Sequence, residues 1–433
     1  EHIHTIIYGC LYNPSHPQAD ERGFRKDVLD LLNDLGTTFI RYPGGNFVSG
    51  YHWKDGIGPK DKRIRKYDVA NGTGIRTVIF VSGCTHNCRL CRQLNIEPML
   101  VVNLGTGTSE EAVEELEYCN YNGNTKWSAE RRKNGYQSPH GVKLWGLGNE
   151  MDGIHQIEHK TPIEYARKAV ETARMMKIMD KSVELVLCGR CSPEIDLETY
   201  PDWDRIVLEE AYEDIDYISL HRYYSYNPDT GMYAMNTDTL ENIAHLPIDI
   251  GDYIDTIMAA SRFVQGKKRC RKPVYISFDE WGILSSKKFD REKYPQWTEI
   301  CEDEGSSTAL DAVLHGAFMI TMLNKCDVVK VACESIVIGS MIMADPEGKC
   351  FRQTTFYPFR DVAQLGKGIV LKQFSEGPME DAGKYGELPA IQSAVIYNDE
   401  KKEIVVFAVN FSKKKEIPFE IFMQEFGEIE CIE

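Results

Sequence analysis

The chain has 433 residues, of which 42% are hydrophobic, and its formal net charge is −16 at pH 7. This length and composition predict a soluble protein of one large domain or two ordinary ones. The negative charge argues against nucleic acid and anionic membranes as partners, and no apolar run reaches the roughly 18 residues that a membrane-spanning helix requires.

Short β-rich runs alternate with stretches of helical apolar spacing along the first part of the chain. The predicted strands are the end of a first strand at Glu1 and then residues 37–42, 97–104, 142–147, 183–188, 217–220, 273–280 and 327–333. The predicted helices are residues 27–35, 109–119, 163–179, 251–264 and 309–323. Repeated alternation of this kind predicts an α/β fold, a (β/α)₈ TIM barrel over residues 1–353.

The pattern changes after the barrel. Residues 394–397 and 404–409 are β-rich runs separated by the polar stretch 398–402, which predicts a hairpin. Residues 417–422 suggest a further strand. We therefore predict a partial C-terminal all-β domain over residues 354–433, sandwich-like but too short to be a complete sandwich.

Two predicted strands end on a carboxylate. The run 142–147 is closed by Gly148 and followed by Asn149 and Glu150, and the run that begins at residue 273 ends at Glu280. Because burying a charge is costly, such strands do not end on carboxylates for packing reasons. The C-terminal ends of the strands form the catalytic face of this fold, and two carboxylates there are the minimum equipment of a glycosidase.

Other polar residues follow other predicted strands on the same face. Arg41 and Asn46 come at and after the end of the second strand, and His221 and Tyr223 come after the sixth. Each one alone could be a capping or loop residue. A set of polar side chains at one end of the barrel predicts a single site instead.

Five segments of the chain carry a family resemblance. They are Arg41-Tyr-Pro-Gly-Gly-Asn-Phe-Val-Ser-Gly-Tyr, Val102-Asn-Leu-Gly-Thr, Gly148-Asn-Glu-Met-Asp-Gly, Ser219-Leu-His-Arg-Tyr and Phe278-Asp-Glu-Trp. With these long and specific motifs the chain resembles the α-L-arabinofuranosidases of glycoside hydrolase family 51, over nearly its whole length except residues 71–91. The resemblance implies release of terminal α-L-arabinofuranosyl residues from arabinan, arabinoxylan or arabino-oligosaccharides. It also implies that no cofactor is needed and that the protein is a homo-oligomer, a hexamer in many members.

The resemblance assigns roles within a retaining mechanism. It implies that Glu150 is the acid/base and Glu280 the nucleophile. The residues that it implies to hold the furanose and the two carboxylates are Glu1, Arg41, Asn46, Asn149 and Tyr223. His221 is expected either to orient Glu150 or to be a structural histidine.

A retaining glycosidase needs one ionised and one protonated carboxylate, roughly 5 Å apart. We therefore expect the pKa of Glu150 to lie above that of Glu280, as burial and a neighbouring negative charge can arrange. Two departures from the family pattern leave the substrate preference open. Gly282 stands where a second Trp is usual, and Glu334-Ser-Ile-Val-Ile-Gly stands where a run containing Gln is usual.

Residues 71–91 do not resemble the arabinofuranosidases. Within them Cys84, Cys88 and Cys91 have C-x₃-C-x₂-C spacing after a predicted strand. The segment is similar to the cluster-binding start of radical S-adenosylmethionine activases, such as the anaerobic ribonucleotide reductase activating protein. Three thiolates at this spacing could bind three irons of a [4Fe–4S] cluster.

Three interpretations of this segment stay open: a hybrid junction that is a passenger in a hydrolase, a metal or cluster site on a hydrolase, and a radical enzyme. A passenger should be dispensable for hydrolysis, although loss of the normal link and helix at this place could damage the barrel. A catalytically inactive sugar-binding barrel is a further alternative. Other cysteines, such as Cys188, Cys326 and Cys333, lie in apolar runs and predict buried free thiols in the reducing cytoplasm.

Overall fold

The structure is a computed structural model. It describes residues 10–59, 62–68, 76–79, 84–193, 198–227, 232–235, 238–240, 243–285, 307–344, 348–381, 385–412, 416–423, 426, 427 and 430–432. Glu1 and the predicted end of the first strand lie outside these residues. Within the described ranges, no helix is both long and apolar enough to cross a bilayer.

Seven parallel strands form a nearly closed barrel. In order around the sheet they are Phe39–Tyr42 (β1), Glu97–Val102 (β4), Leu144–Leu147 (β5), Glu184–Cys188 (β6), Tyr217–Asn227 (β7), Tyr275–Ser285 (β10) and Val329–Glu334 (β11). All seven lie where the sequence predicts strands, so the predicted α/β barrel is confirmed. Strands β7 and β10 extend beyond their predicted ends, and β7 continues into antiparallel pairing with Met232–Met235 (β8), which pairs with Asp238–Leu240 (β9).

The barrel interior is filled below the catalytic face. Met99, Val186 and Val331 come from three different strands and form one buried cluster. Their neighbours in the chain, such as Leu100 and Leu187, belong instead to the large core shared with the helices. This alternation follows from the strand period of two residues, and it leaves only the strand ends free to build a site.

Helices surround the strands. They are Lys26–Leu35 (α1), Cys84–Leu94 (α2), Ser109–Asn120 (α3), Lys126–Lys133 (α4), Pro162–Met179 (α5), Asp202–Ala211 (α6), Leu246–Lys268 (α7), Ala309–Asn324 (α8), Val337–Ser340 (α9) and Phe356–Leu365 (α10). All five predicted helices are present. Local chemistry fixes their ends: α5 starts at Pro162 and is closed by a capping box between Thr161 and Glu164.

Helix α2 begins at Cys84 in residues 71–91, here called the cysteine segment, and continues to Leu94. It is preceded by an antiparallel ribbon of Arg65–Asp68 (β2) and Arg76–Ile79 (β3). The helix packs against β1, β4 and α1, so it covers the barrel between its second and third predicted strands. The concern that the barrel lacks a helix at this place is therefore wrong.

Small antiparallel sheets follow the barrel. The strands are Ile342–Ala344 (β12) paired with Cys350–Arg352 (β13), Met379–Asp381 (β15) paired with Glu387–Pro389 (β16), and a three-stranded sheet of Ile369–Leu371 (β14), Ile391–Asn398 (β17) and Glu403–Asn410 (β18). The β17–β18 pair is the predicted hairpin. The predicted strand at 417–422 is wrong, because this stretch has no regular structure.

Between β13 and β14 the chain returns to the barrel. Helix α10 starts at Phe356 and packs against α1 and α8, so it completes the outer layer of helices. The three-stranded sheet then packs on α8, where the Asn324 side chain donates a hydrogen bond of 2.9 Å to the Ser393 carbonyl. The division of the chain at residue 354 stays a prediction.

Candidate active site

Glu150 lies just beyond the end of β5. Gly148, with φ 88°, turns the chain, and Glu150 itself has φ 45°. A non-glycine residue in this left-handed region is strained by about 1–3 kcal/mol, and such strain concentrates at active sites. The turn brings the Glu150 side chain, which is only 11% exposed, onto the catalytic face of the barrel.

Two adjacent carboxylates of β10, Asp279 and Glu280, both reach into the site. Side chains of a regular strand alternate between its two faces. The pairing of β10 with β7 shifts in register between Ser277 and Glu280, so that Glu280 stands opposite His221. A bulge of this kind re-aims side chains, and here both carboxylates contact the same guanidinium, that of Arg41.

Arg41, at the end of β1, joins the two carboxylates to Asn149. Its Nη1 donates to Glu280 Oε1 at 2.7 Å and its Nη2 to Asn149 Oδ1 at 2.6 Å, while Nε lies 3.3 Å from Asp279 Oδ2. Burial by itself lowers the pKa of Arg41, but Asp279 and Glu280 raise it above its usual value. Arg41 is therefore a fixed positive charge beneath the two acids.

Tyr223 and Gly45 complete the surroundings of Glu280. The Tyr223 hydroxyl lies 2.9 Å from Glu280 Oε2 and 2.5 Å from Ser335 Oγ. A phenol has one proton, so we infer that it donates to the carboxylate and accepts from Ser335. The Gly45 backbone N–H donates to Glu280 Oε1 at 3.3 Å. Both oxygens of Glu280 thus accept hydrogen bonds, which is the arrangement that a carboxylate nucleophile needs.

The two candidate catalytic carboxylates lie close together. One oxygen of Glu150, one of Glu280 and one ring nitrogen of His221 all lie within 4.8 Å of one another. This separation is that of a retaining glycosidase, because an inverting enzyme must leave room for a water between the carboxylates. The same three groups are near enough to bind a metal ion, but His221 uses both ring nitrogens and Arg41 already holds Glu280, so they do not fit one.

His221 bridges two carboxylates. Its Nδ1 lies 2.9 Å from Glu150 Oε1, and its Nε2 lies 3.2 Å from Asp279 Oδ1, which also accepts a hydrogen bond from Ser219. Burial opposes protonation of the ring, but Glu280, Asp279 and Glu150 raise the pKa of His221 to about 10. His221 is therefore an imidazolium that donates on both sides. Its contact with Glu150 is the one that an orienting role requires, and that role stays a prediction.

The charge state of Glu150 differs from the expected one. Burial raises the pKa of Glu150, but hydrogen bonds from His155 and His221 outweigh it and hold the pKa well below its usual range. Burial raises the pKa of Glu150 as expected, but two histidines contact Glu150 in addition to the Glu280 carboxylate nearby, and these histidines make the net shift downward.

Five residues of the site were missed by the sequence analysis: Ser219, Asp279, Ser335, His155 and Gln156. Asp279 precedes Glu280 directly, so only the bulge decides that it also faces inward. His155 Nε2 lies 2.8 Å from Glu150 Oε2, and Gln156 Nε2 donates to the same oxygen at 3.3 Å. Their position in the loop just after Glu150 was the only signal in the sequence.

Of the predicted sugar-binding residues, Asn149 and Asn46 lie in the described part of the chain and Glu1 does not. The Asn149 side chain accepts from Arg41, and its Nδ2 is buried without a partner among the described residues, so it is free to donate to a substrate hydroxyl. The side-chain carbonyl of Asn46 accepts a hydrogen bond from Gln156 Nε2. The side-chain carbonyl of Gln156 in turn accepts a hydrogen bond of 2.9 Å from the Ser49 hydroxyl. The prediction for Glu1 lies outside the described residues.

The three cysteines of the C-x₃-C-x₂-C segment lie on helix α2 and are all buried. A helix rises about 1.5 Å per residue, so Cys84 and Cys91 are separated by about 10 Å along its axis. Cys84 and Cys88 face Cys119 of α3, whereas the thiol of Cys91 faces β1. Thiols that face different elements do not surround one cluster, so the residues do not fit the predicted [4Fe–4S] site.

The other cysteines differ in how far they are buried. Cys188 is buried, as predicted. Cys326 is exposed and Cys333 is only partly buried, so the prediction is wrong for Cys326 and only partly met for Cys333. Cys326 follows the end of α8, where the chain turns towards β11, and its apolar neighbours in the sequence therefore do not enclose it.

Sequence profiles of known families match most of the chain. The profile of the alpha-L-arabinofuranosidase 1 domain matches residues 31–245, and that of the alpha-L-arabinofuranosidase C-terminal domain matches residues 279–432. The first match includes the cysteine segment, which the sequence analysis had set apart from the family.

Individual relatives of the chain carry the same family name as the matching profiles. The chain is 40% identical to the intracellular exo-α-(1→5)-L-arabinofuranosidases of Acetivibrio thermocellus and Bacillus subtilis, over 95% of its own length and 80% of theirs. It is 38% identical to an exo-α-(1→6)-L-arabinofuranosidase of Bifidobacterium longum, over 100% of its length and 83% of that protein.

Solved structures show the same architecture. A family 51 α-L-arabinofuranosidase from Bifidobacterium longum superimposes with a TM-score of 0.87 at 36% identity, covering 94% of this chain and 80% of that one. An α-L-arabinofuranosidase from Thermotoga maritima, in complex with arabinose, superimposes with a TM-score of 0.81 at 28% identity, covering 95% and 80%.

Proposed function

Because the chain belongs to the α-L-arabinofuranosidases of glycoside hydrolase family 51, we propose that the site around Glu150 and Glu280 removes terminal α-L-arabinofuranosyl residues by double displacement. The observation that carries this proposal is the separation of the two carboxylates, whose nearest oxygens lie within 4.8 Å of each other. At this distance one carboxylate can attack the anomeric carbon while the other protonates the leaving oxygen.

Glu280 is the proposed nucleophile. Its oxygens are held by Arg41, Gly45 and Tyr223, so the carboxylate cannot rotate away from the sugar. In the first step a Glu280 oxygen bonds to the anomeric carbon and the bond to the leaving oxygen breaks. This covalent intermediate is what preserves the configuration of the sugar.

Glu150 is the proposed acid/base. It gives a proton to the leaving oxygen in the first step and takes one from water in the second, when that water releases the sugar from Glu280. Asn149 is proposed to donate its unpaired Nδ2–H to the 2-hydroxyl of the furanose, a contact that strengthens in the transition state. Arg41, Asn46, Tyr223 and Glu1 are proposed to hold the rest of the sugar ring.

The leaving group is proposed to be an arabino-oligosaccharide or the end of an arabinan or arabinoxylan chain. Two of the relatives are named for α-(1→5) linkages and one for α-(1→6) linkages. We propose α-(1→5)-linked arabinose as the preferred substrate. Release of arabinose from α-1,5- and α-1,6-linked arabinobiose at equal concentration tests the choice, and faster turnover of the 1,6 isomer would reverse it.

The two catalytic roles are tested with one pair of substrates. Glu280→Ala should abolish turnover of every substrate. Glu150→Ala should retain far more activity on 4-nitrophenyl α-L-arabinofuranoside than on arabinobiose, because an activated phenolate leaves without a proton. Azide should accelerate the Glu150→Ala reaction by attacking the glycosyl-enzyme from the vacated side. Equal losses on both substrates contradict the acid/base role, and no turnover by the unmodified chain favours an inactive sugar-binding barrel.

Location and assembly are part of the proposal. The names of the Acetivibrio thermocellus and Bacillus subtilis relatives include the word intracellular, and we propose that this protein also acts in the cytoplasm. The family resemblance leads us to propose a homo-oligomer, a hexamer. Light scattering of the purified chain gives the mass directly, and a monomer mass contradicts the assembly proposal without affecting the catalytic one.

A further inference from the structure

Both oxygens of Glu150 are occupied by histidines. Oε1 meets His221 Nδ1 at 2.9 Å, and Oε2 meets His155 Nε2 at 2.8 Å, with Gln156 Nε2 at 3.3 Å from the same oxygen. An acid/base must place one oxygen against the leaving oxygen of the substrate. One of these two partners must therefore move aside during the reaction.

His221 is the fixed partner. Its side chain is 3% exposed and is held at its other nitrogen by Asp279, which is itself tied to Arg41 and Ser219. Displacing the ring would leave a buried imidazolium and a buried carboxylate unpaired, which is strongly unfavourable. Oε1 of Glu150 is thus committed to His221, and Oε2 is the oxygen that faces the leaving group.

His155 is the displaceable partner. Its side chain is 45% exposed and lies on the loop between β5 and α5, so it can turn into solvent without breaking a core contact. The ring reaches Glu150 only because residue 153 is glycine. A Cβ on Gly153 would lie 2.5 Å from Cε1 of His155 and 2.9 Å from its Nδ1, well inside contact distance.

We propose that His155 closes Oε2 of Glu150 when no leaving group is bound, and that it leaves its proton on Glu150 when a leaving group displaces it. This inference rests on the proposed acid/base role of Glu150. The proposal explains how Glu150 can be ionised in the free site and still act as an acid. In the free site, hydrogen bonds from His155 and His221 hold the pKa of Glu150 low, while Glu150 raises the pKa of His155. The pair stores one proton, on His155 at rest and on Glu150 when the leaving group arrives.

The proton balance closes over the catalytic cycle. On displacement the Nε2–H proton of His155 stays with Glu150 Oε2, and the ring departs neutral. Glu150 passes this proton to the leaving oxygen as the bond from that oxygen to the anomeric carbon breaks and Glu280 bonds to the carbon. Water then gives a proton to Glu150 and its oxygen to the sugar, and the bond to Glu280 breaks. When the product leaves, His155 returns and takes the proton back.

The other charged and titratable groups around the pair do not supply this proton. They are His221 and Tyr223 on β7, Asp279 and Glu280 on β10, Arg41 on β1, Asp152 in the same loop and Cys191 after β6. Arg41 and His221 are the cations of this set, and both are tied to Asp279. Among the described residues around Glu150, His155 is the cation that solvent and substrate reach.

The pH profile of kcat/KM on α-1,5-linked arabinobiose tests the proposal. With His155 present, the pair keeps its proton up to the raised pKa of His155. In His155→Ala the proton must reside on Glu150, where the His221 imidazolium still disfavours it. We expect the basic limb of the profile to move by at least one unit to lower pH, with about tenfold lower kcat/KM at pH 7.5. On 4-nitrophenyl α-L-arabinofuranoside the loss should be under about threefold, because that leaving group needs no proton.

Two further variants separate proton storage from simple positioning. Gly153→Ala keeps the imidazole but pushes it off Glu150, so its profile should match that of His155→Ala. His155→Gln keeps a hydrogen-bond donor but cannot titrate, so it should not restore the wild-type profile. His159→Ala changes an exposed histidine of the same loop and should behave as wild type. Melting temperatures of all variants confirm that they fold.

The outcomes distinguish this inference from the function on which it rests. A wild-type profile for His155→Ala, or restoration by His155→Gln, overturns proton storage while leaving Glu150 as the acid/base. Equal loss of both substrates in Glu150→Ala overturns the proposed function, and the role of His155 falls with it.

Discussion

The strand ends around Glu150 and the helix α2 both carry specific sequence motifs, yet only the first set of side chains converges. Glu150 and Glu280 are far apart in the chain, but their nearest oxygens lie within 4.8 Å of each other. Cys84 and Cys91 are close in the chain, but the helix separates them by about 10 Å. Parallel strands of a barrel all end on one face, so distant residues meet there. A helix distributes nearby residues along its axis instead.

The difference shows that the spacing of a motif specifies a site only once the local backbone is known. In a loop, thiols at C-x₃-C-x₂-C spacing can wrap around one cluster. On α2 the same spacing gives a stripe that faces the core, and Cys84, Cys88 and Cys91 are at most 2% exposed. The burial of this stripe accounts for the three cysteines as packing residues.

Loss of Arg41 should have the largest effect on the site around Glu150 and Glu280. Arg41→Met removes the guanidinium that joins Asp279, Glu280 and Asn149, and leaves two buried carboxylates without their shared counter-charge. Removing one partner of a buried ion pair costs about 3–5 kcal/mol, so we expect kcat/KM to fall by at least about 100-fold and the melting temperature to fall as well.

The control for this prediction is Arg174→Met. Arg174 pairs with Glu171 and Asp214 on the surface, where its side chain is 54% exposed. Exposed ion pairs contribute about 0–1 kcal/mol, so this variant should keep wild-type activity and nearly the same melting temperature. Similar activities for the Arg41 and Arg174 variants would show that Arg41 does not organise the site.

The next effect concerns the cysteine helix. Changing Cys84, Cys88 and Cys91 together to Ser buries three hydroxyls in place of thiols, at a cost of about 1 kcal/mol or more each where no hydrogen-bond partner exists. We expect a clearly lower melting temperature and unchanged kcat/KM for the folded protein, because α2 packs against β1, β4 and α1, and the partners that hold Glu150 and Glu280 come from other elements. Thermal unfolding and 4-nitrophenyl arabinofuranoside turnover measure the two effects.

An exposed thiol and an iron assay complete that experiment. Cys326→Ser should change neither quantity, since Cys326 lies on the surface. Anaerobic incubation of the wild-type protein with iron and sulfide should give no visible charge-transfer absorbance. Absorbance that appears in the wild type and disappears in the triple variant would reinstate the cluster.

The third prediction concerns Asp204, a buried carboxylate outside the site. Asp204 accepts a 2.9 Å hydrogen bond from the Arg190 backbone, and its other oxygen is buried without a partner among the described residues. Burial raises the pKa of Asp204 to about 7. The folded state therefore binds a proton that the unfolded state has lost above about pH 4, so the contribution of Asp204 to stability decreases as pH rises from about 4 to about 7.

Asp204→Asn removes this dependence. The amide mimics the protonated acid, so we expect the variant to be more stable than wild type at both pH 5 and pH 8. Its advantage should be larger at pH 8 by about 2–3 kcal/mol, because two pH units separate pH 5 from the raised pKa of Asp204. Melting temperatures of both proteins at the two pH values measure it. An equal difference at both pH values would mean that Asp204 does not titrate in this range.

Much of this protein was determined by its sequence. The apolar runs that end on Asn149, Glu150 and Glu280 predicted both the barrel and the two carboxylates of its catalytic face, because burial of a strand and exposure of its end depend on local composition. The helix of the cysteine segment was the exception. There a motif known from a different protein family concealed an ordinary pattern of buried residues on one side of a helix.

The tertiary structure decided which side chains meet. A register shift in β10 turns Asp279 inward beside Glu280, and the loop after Glu150 folds His155 back over Gly153. Neither event has a periodic signal, because a bulge and a loop break the periods of two and 3.6 residues on which sequence patterns depend. The charge on Glu150 follows from these contacts, since its pKa depends on the two histidines that only the tertiary structure brings to its oxygens.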